Sequence, residues 1–246
     1  MSLPARLQDP TLTARPRRVV AAIAMACAVL GAGSWIALLA QRARGAGPSL
    51  STLVVEWPGR SPAAETGAGV LDAPVLPGAI AQVFALAAAA ESGLVSSSTT
   101  YLCRRVVTAD GRRFVCTHPD LKRPLTPAEA LAYSCTDFFA DLATRLPRAS
   151  LNRLRRGVGL VAVGDDAPWT SAVIGLAGPP TSPRQLLTAV ARVAGVGPDT
   201  AVPLRASTRA LVRSGLRGVA DFGPGLALVG RERPSLMTGG ASPLPG

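Results

Sequence analysis

Three cysteines and the single histidine are the side chains best suited to chemistry, and they lie close together in the sequence. Cys103 and Cys116 flank the stretch RRVVTADGRRFV, whose central Asp-Gly pair predicts a two-stranded hairpin. Because a hairpin brings its ends together, Cys103 and Cys116 are predicted to form a disulfide bond, which leaves Cys135 as an unpaired thiol. The alternative is a zinc site built from these three cysteines and His118, but the Cys116-x-His118 spacing is not a common zinc signature. We therefore expect no bound metal and no cofactor.

Amine and imidazole bases are scarce in this chain. Lys122 is the only lysine and His118 the only histidine, and every other basic residue is an arginine, which does not deprotonate in proteins. A His118 base acting on Ser134 or Cys135 is geometrically conceivable, but the sequence offers no acid to orient the imidazole. Any mechanism that needs a neutral amine has only Lys122, so most familiar catalytic sets are excluded.

The balance of charges does not indicate a nucleic-acid-binding protein. The chain has 26 Lys and Arg residues against 15 Asp and Glu residues, a formal net charge of +11. Nucleic-acid-binding modules usually cluster their basic residues on one face and interleave aromatic residues for stacking. Here the arginines are scattered and aromatic residues make up only 4% of the 246 residues, so we expect no nucleic-acid partner.

Residues 19–40 (VVAAIAMACAVLGAGSWIALLA) carry no charge and predict a membrane-spanning helix. At about 1.5 Å per residue the segment extends roughly 33 Å, which matches a bilayer core of about 30 Å. Arg15, Arg17 and Arg18 precede it, and this bias places the amino end in the cytoplasm. A cleaved signal peptide is the alternative, but the apolar core of a signal peptide is usually only about 7–15 residues long.

This interpretation divides the chain into four parts. They are a cytoplasmic tail (1–18), an uncleaved single-pass anchor in the cytoplasmic membrane (19–40), a linker (41–52) and a domain in the periplasm or extracytoplasmic space (53–246). An external domain lies in an oxidising compartment, where cysteines tend to pair, and this favours the predicted disulfide.

Local signals within the domain predict a mainly helical α/β fold with few strands. Residues 51–57 predict a strand, and residues 79–92 predict an apolar helix that ends at Gly93. The sequence SPRQ at 182–185 is a capping box with proline at the first helical position, and the helix that follows is predicted to end at Gly195.

Two further helices are predicted. The capping box TPAE at 126–129 begins one of them, and Pro147 ends its pattern. Its apolar stripe consists of Leu131, Cys135, Phe138 and Leu142. The other helix is predicted at 208–214, ended by Gly215.

Several segments, in this order, resemble the transpeptidase domain of penicillin-binding proteins. That family opens a helix with P-G-S-T-F-K-P, and this chain has PGAIAQV at 77–83. The family's A-L-A-Y-S-C-N-x-x-F is similar to ALAYSCTDFF at 130–139, and its I-G-Q-G…T-P-L-Q-L is similar to IGLAGPPTSPRQL at 174–186. MTGGA at 237–241 takes the place of K-T-G-T-A. The resemblance covers roughly residues 51–246.

The departures from the family pattern fall where its chemistry would take place. The resemblance implies a serine nucleophile activated by a lysine one turn later, but Ala79 and Gln82 hold these positions. Ala79 has no hydroxyl to acylate, and the Gln82 amide is not a base. Thr136 replaces an asparagine and Met237 replaces a lysine. We therefore expect no catalytic residue, only degenerate motif positions: Ala79, Gln82, Ser134, Thr136, Met237, Thr238 and Gly239.

The resemblance also implies two strands after the third motif, whereas the sequence ends at Gly246. The expected fold is an incomplete penicillin-binding transpeptidase-like α/β domain, helix-rich with a small antiparallel sheet, behind one transmembrane helix. The expected function is that of a membrane-anchored, catalytically inactive protein of peptidoglycan metabolism, whose partners are peptidoglycan stem peptide or proteins of cell-wall synthesis and remodelling. Two alternatives stay open: an active peptidoglycan transpeptidase or carboxypeptidase, against which the lost side chains argue, and a truncated, decayed gene product.

Overall fold

The computed structural model describes residues 52–55, 62–66, 68–196 and 202–223. The predicted anchor at 19–40 and the third motif at 237–239 lie outside these ranges. Among the described residues, no helix is both long enough and apolar enough to cross a membrane.

Helices dominate the described part, and its strands form two separate antiparallel pairs. Strands β1 (Thr52–Val55) and β2 (Pro62–Thr66) form the first pair, and β3 (Val106–Ala109) and β4 (Arg112–Val115) form the second. A 3-10 turn (Gly78–Ile80) leads directly into the second helix. The helices are α1 (Ala68–Asp72), α2 (Ala81–Glu91), α3 (Pro127–Ala132), α4 (Thr136–Ala143), α5 (Arg148–Gly157), α6 (Trp169–Ile174), α7 (Pro183–Ala194) and α8 (Ala206–Asp221). The helix-rich α/β architecture with small antiparallel sheets is therefore as predicted.

Helix α2 is the centre of the hydrophobic core. Its sequence AQVFALAAAAE has no polar face, and every residue from Ala81 to Ala90 is buried. A helix that is apolar all round must be covered all round, and α2 packs against each of the helices α3 to α8. Its many alanines leave room for these neighbours to approach, while Val83, Phe84 and Leu86 fill the space between them.

The predicted helix ends are confirmed where the chain carries capping signals. The Thr126 hydroxyl accepts a hydrogen bond from the Glu129 N–H at 3.2 Å, and the Glu129 carboxylate accepts one from the Thr126 N–H at 2.8 Å. Ser182 and Gln185 form the same reciprocal pair at the start of α7, which ends at Gly195 in the left-handed conformation (φ 63°). Such pairs satisfy backbone donors that the helix itself leaves unpaired.

The single helix predicted from 126 towards Pro147 is wrong, because the chain breaks between α3 and α4. Ser134 adopts a left-handed conformation (φ 50°), and Cys135 is extended at the start of α4 (φ −67°, ψ 97°). The apolar stripe is real, since Leu131, Cys135, Phe138 and Leu142 are all buried. The break turns Cys135 towards the β3–β4 hairpin, and sequence periodicity carries no signal for such a turn.

The predicted end of α8 at Gly215 is also wrong, because the helix continues to Asp221. Gly215 and Gly218 lie inside the helix where it crosses α3. A Cβ atom on Gly215 would lie 2.7 Å from a methyl carbon of Leu131, and one on Gly218 would lie 2.7 Å from the Ala132 Cβ. These glycines therefore allow close helix packing and do not end the helix.

The turn before α2 is held by Gly175, the residue that ends α6. Gly78 donates its N–H to the Gly175 carbonyl at 3.0 Å, and Gly175 is left-handed (φ 88°). A Cβ atom on Gly175 would lie only 1.8 Å from the Gly78 carbonyl oxygen. Only glycine fits at this contact.

Gly175→Ala is expected to destabilise the domain more than Gly93→Ala does. Gly93 is also left-handed (φ 73°) but has no atom within 4 Å of an added Cβ, so alanine there adds backbone strain alone, about 1–2 kcal/mol. Gly175→Ala adds the collision with Gly78 to the same strain. Chemical denaturation of both variants measures the difference, and equal losses would contradict the contact described here.

Candidate functional site

The first degenerate motif lies at the start of the central helix. Ala79 is in the 3-10 turn, and Gln82 is in the first turn of α2, three residues later. The Gln82 side chain is only 3% exposed, and its Oε1 has no hydrogen-bond partner among the described residues. The position at which the resemblance expects an amine base therefore holds a neutral, buried amide.

The second degenerate motif occupies the break between α3 and α4. Ser134 and Thr136 flank Cys135 and are both half-buried. Helix α2 packs against both α3 and α4, so the two motifs lie on helices that touch one another. Whether Ala79 and Ser134 share one groove stays a prediction, and Met237, Thr238 and Gly239 lie outside the described residues.

The only lysine lies at the surface. Lys122 is left-handed (φ 54°) in the loop after the hairpin, and its ammonium group pairs with Asp120 at 2.7 Å. Its side chain is 81% exposed. The ammonium group is therefore engaged with a surface carboxylate in solvent.

The Asp-Gly turn of the cysteine hairpin is confirmed. Asp110 and Gly111 are both left-handed (φ 49° and 70°) between Ala109 and Arg112, the last paired residues of the strands. The tip is fixed because the Asp110 carboxylate accepts the Ser171 N–H of α6 at 2.6 Å.

The predicted Cys103–Cys116 disulfide is not found. The two Sγ atoms are 3.7 Å apart, against about 2.05 Å in a disulfide, and Cys103, Cys116 and Cys135 are all free thiols. Instead, the four donor side chains converge. The sulfur atoms of Cys103, Cys116 and Cys135 and a ring nitrogen of His118 all lie within 4.8 Å of one another, and these residues are called the Cys3His cluster below.

Burial and hydrogen bonding make the thiols of the cluster unequal. The Cys135 thiol is the largest influence on Cys116 and lowers its pKa by hydrogen bonding, with support from the Asp137 N–H at 3.4 Å from the sulfur. The pKa of Cys135 is raised by the same hydrogen bond and by burial, and the pKa of Cys103 is raised mainly by burial. Cys116 is therefore the thiol most readily present as a thiolate, the form that binds metals.

The His118 ring lies between the cluster and the backbone of its own loop. Its Nε2 lies 3.5 Å from the Cys103 sulfur, and its Nδ1 lies 2.8 Å from the Pro119 carbonyl oxygen. A carbonyl can only accept, so Nδ1 donates to Pro119, and Nε2 is the ring nitrogen that faces the cluster. Three thiols and such an imidazole are suitable donors for a zinc ion.

A buried carboxylate, Asp137, joins the hairpin to α4. Its side chain is 0% exposed and accepts the backbone N–H of Arg104 at 2.6 Å and the Arg104 guanidinium at 2.7 Å. The guanidinium also donates to the Tyr101 hydroxyl at 3.1 Å. Sequence reasoning missed Asp137, because an acidic residue in the first turn of a helix usually needs no partner beyond the helix end.

Comparison with known proteins gives matches in structure but none in sequence. No protein-family model matches the chain, and no curated protein matches its sequence. A chain from a peptidoglycan synthase complex that coordinates polymerization and crosslinking is similar with a TM-score of 0.53 and 21% identity, over 64% of this chain and 34% of that one. The transpeptidase domain of penicillin-binding protein 3 from Burkholderia pseudomallei is similar with a TM-score of 0.51 and 17% identity, over 69% and 62% of the two chains.

These similarities concern the fold. The matched part spans less than two thirds of either neighbour, so this chain matches only part of a penicillin-binding transpeptidase-like domain. The resemblance inferred from the motifs is thereby confirmed at the level of the fold.

Asp137→Asn is expected to lower the free energy of unfolding by about 1.5–3 kcal/mol, the range typical of hydrogen bonds to charged groups. The amide cannot accept from both Arg104 donors as the carboxylate does. Asp120→Asn is the matched control, because it removes an exposed surface carboxylate that pairs with Lys122 and should change stability little. Urea denaturation of the two variants provides the measurement, and equal behaviour would contradict a structural role for Asp137.

Proposed function

We propose that this chain is a catalytically inactive transpeptidase-like domain of peptidoglycan metabolism that binds its partners without cross-linking them. The observation that carries the proposal is the pair Ala79 and Gln82 at the start of α2. The fold supports the assignment to cell-wall metabolism, since its neighbours include a chain of a peptidoglycan synthase complex and a penicillin-binding transpeptidase domain.

The chemistry of acyl transfer explains why these two positions matter. The reaction requires a hydroxyl that forms a covalent acyl-enzyme and a nearby base that takes its proton. Ala79 supplies no hydroxyl, and the Gln82 amide accepts no proton at physiological pH. Ser134 keeps its hydroxyl, but the only lysine is paired with Asp120 at the surface.

Binding remains available to a domain that has lost this chemistry. A groove holds a peptide through its shape and its hydrogen-bonding groups, and these require neither a nucleophile nor a base. The occupants that we propose are peptidoglycan stem peptide or a protein of cell-wall synthesis or remodelling. A single-pass anchor at residues 19–40 would hold the domain at the outer face of the cytoplasmic membrane.

The full-length protein should not be labelled covalently by a fluorescent penicillin. Ala79→Ser alone should also stay unlabelled, because the new hydroxyl would still lack a base. The triple variant Ala79→Ser, Gln82→Lys and Met237→Lys supplies the missing groups and is the one expected to gain labelling. Gel fluorescence after denaturation measures the adduct.

Two results would contradict this account of the site. Labelling of the unmodified protein would identify an active enzyme. Efficient labelling of the Ala79→Ser variant would show that a base is present despite Gln82. If the unmodified protein is not labelled, its equilibrium binding of a synthetic stem peptide is measured next. Binding is expected of a domain that recognises peptidoglycan, and its absence would argue against stem peptide as the partner.

A reporter enzyme that folds only outside the cytoplasm should be active when fused after Gly246. The arginines at 15, 17 and 18 place the amino end inside, so one crossing puts the carboxyl end outside. The control fusion after Arg18, before the predicted anchor, should be inactive. The opposite pattern of activity would refute the predicted topology.

A further inference from the structure

The spacing of the donor atoms in the Cys3His cluster fits a tetrahedral metal ion. Zn²⁺ bonds of about 2.3 Å to sulfur and about 2.0–2.1 Å to nitrogen give sulfur–sulfur edges of about 3.8 Å and sulfur–nitrogen edges of about 3.6 Å. The Cys103–Cys116 and Cys116–Cys135 sulfur distances are 3.7 and 3.9 Å, and the Cys103 sulfur lies 3.5 Å from His118 Nε2. We propose that these four residues bind one Zn²⁺ ion.

The groups around the cluster favour a metal ion over a disulfide. A Cys103–Cys116 disulfide would need the two sulfur atoms to close from 3.7 Å to about 2.05 Å, and it would leave Cys135 and His118 without a role. A tetrahedral ion uses all four donors, which already lie within 4.8 Å of one another. It also explains why three cysteines from two separate elements converge at a site where Cys116 and Cys135 are only 2% and 0% exposed.

The outer hydrogen bonds have the pattern that metal ligands require. The Nδ1–H of His118 donates to the Pro119 carbonyl, which fixes the ring with Nε2 facing the three sulfur atoms. The Arg105 N–H lies 3.3 Å from the Cys103 sulfur, and the Asp137 N–H lies 3.4 Å from the Cys116 sulfur. Such N–H groups reduce the cost of burying thiolate charge.

The site is structural, because four protein donors fill a tetrahedral ion and leave no position for substrate or water. Cys103, Cys116 and His118 come from the hairpin and the loop after it, whereas Cys135 lies between the second-motif residues Ser134 and Thr136. The ion would thus tie the hairpin to the break between α3 and α4. This proposal stands apart from the proposed function, since a domain with no affinity for cell-wall peptide can still hold zinc.

Elemental analysis of the full-length protein, purified without chelators, should find one zinc per chain. Replacement of zinc by Co²⁺ should give the visible bands of a tetrahedral cobalt ion, together with thiolate-to-cobalt charge transfer in the near ultraviolet. Removal of the metal with a chelator should lower the melting temperature, and added Zn²⁺ should restore it.

Single substitutions test the ligands one at a time. Cys135→Ser and His118→Ala should each weaken zinc binding by more than the roughly 10–100-fold that loss of an outer hydrogen bond causes. His118→Cys keeps a fourth donor and should retain stoichiometric zinc, which separates loss of a ligand from general unfolding. Cys27→Ser removes the one cysteine outside the cluster and should bind zinc as the unmodified protein does.

Two outcomes would overturn the proposal. One is substoichiometric zinc in the unmodified protein with a melting temperature that neither chelator nor Zn²⁺ changes. The other is a Cys103–Cys116 disulfide, detected by mass spectrometry of peptides prepared without reductant from protein that carries no metal.

Discussion

Helix α2 is buried from Ala81 to Ala90, and the positions of the helices around it follow from that burial. An apolar helix without a polar face must be surrounded, and helices α3 to α8 cover it. Each fully buried large side chain such as Phe84 or Leu86 contributes about 1.5–3 kcal/mol, whereas the alanines contribute mainly by letting neighbours approach. The first two degenerate motifs are attached to this assembly, one at the start of α2 and the other between the helices α3 and α4 that pack on it.

The β3–β4 hairpin depends on a different kind of interaction. A two-stranded hairpin is at best marginally stable by itself, and this one exposes Leu102, Val106 and Val115 to solvent. Contacts with the rest of the domain hold it in place: the Asp137–Arg104 pair at its base, the Asp110 carboxylate at its tip, the Cys3His cluster at its ends, and the packing of Phe114 against the core. A metal ion in the cluster would add a cross-link at the edge of the hydrophobic core, to which Cys116 and Cys135 belong.

Local signals in the sequence predicted those parts of the fold that local chemistry determines. The capping boxes at Thr126 and Ser182, the left-handed end at Gly195 and the Asp-Gly hairpin turn each satisfy backbone groups within a few residues. The predicted helix boundaries were wrong where contacts with residues distant in the sequence determine the backbone conformation. Gly215 lies inside α8 because α3 approaches it, and the long predicted helix breaks at Ser134 because Cys135 meets the hairpin. The spacing of Cys103, Cys116, His118 and Cys135 along the chain did not predict the cluster, because that spacing says little about which elements converge.

The fold is similar to that of its neighbours at only 21% and 17% identity, although the motif residues differ. Residues that the fold requires and residues that a reaction requires are therefore under different constraints. Gly175 must remain glycine, because any side chain there would collide with the Gly78 carbonyl. At position 82 the fold does not favour the lysine that the family's chemistry would need. At 3% exposure a lysine would have to lose its proton or find a carboxylate, and either costs stability unless catalysis uses the amine. A neutral amide avoids most of that cost. The proposed loss of acyl transfer would remove the need for a serine and a lysine at these two positions, whereas Gly78 and Gly175 would still be needed to shape the turn before α2.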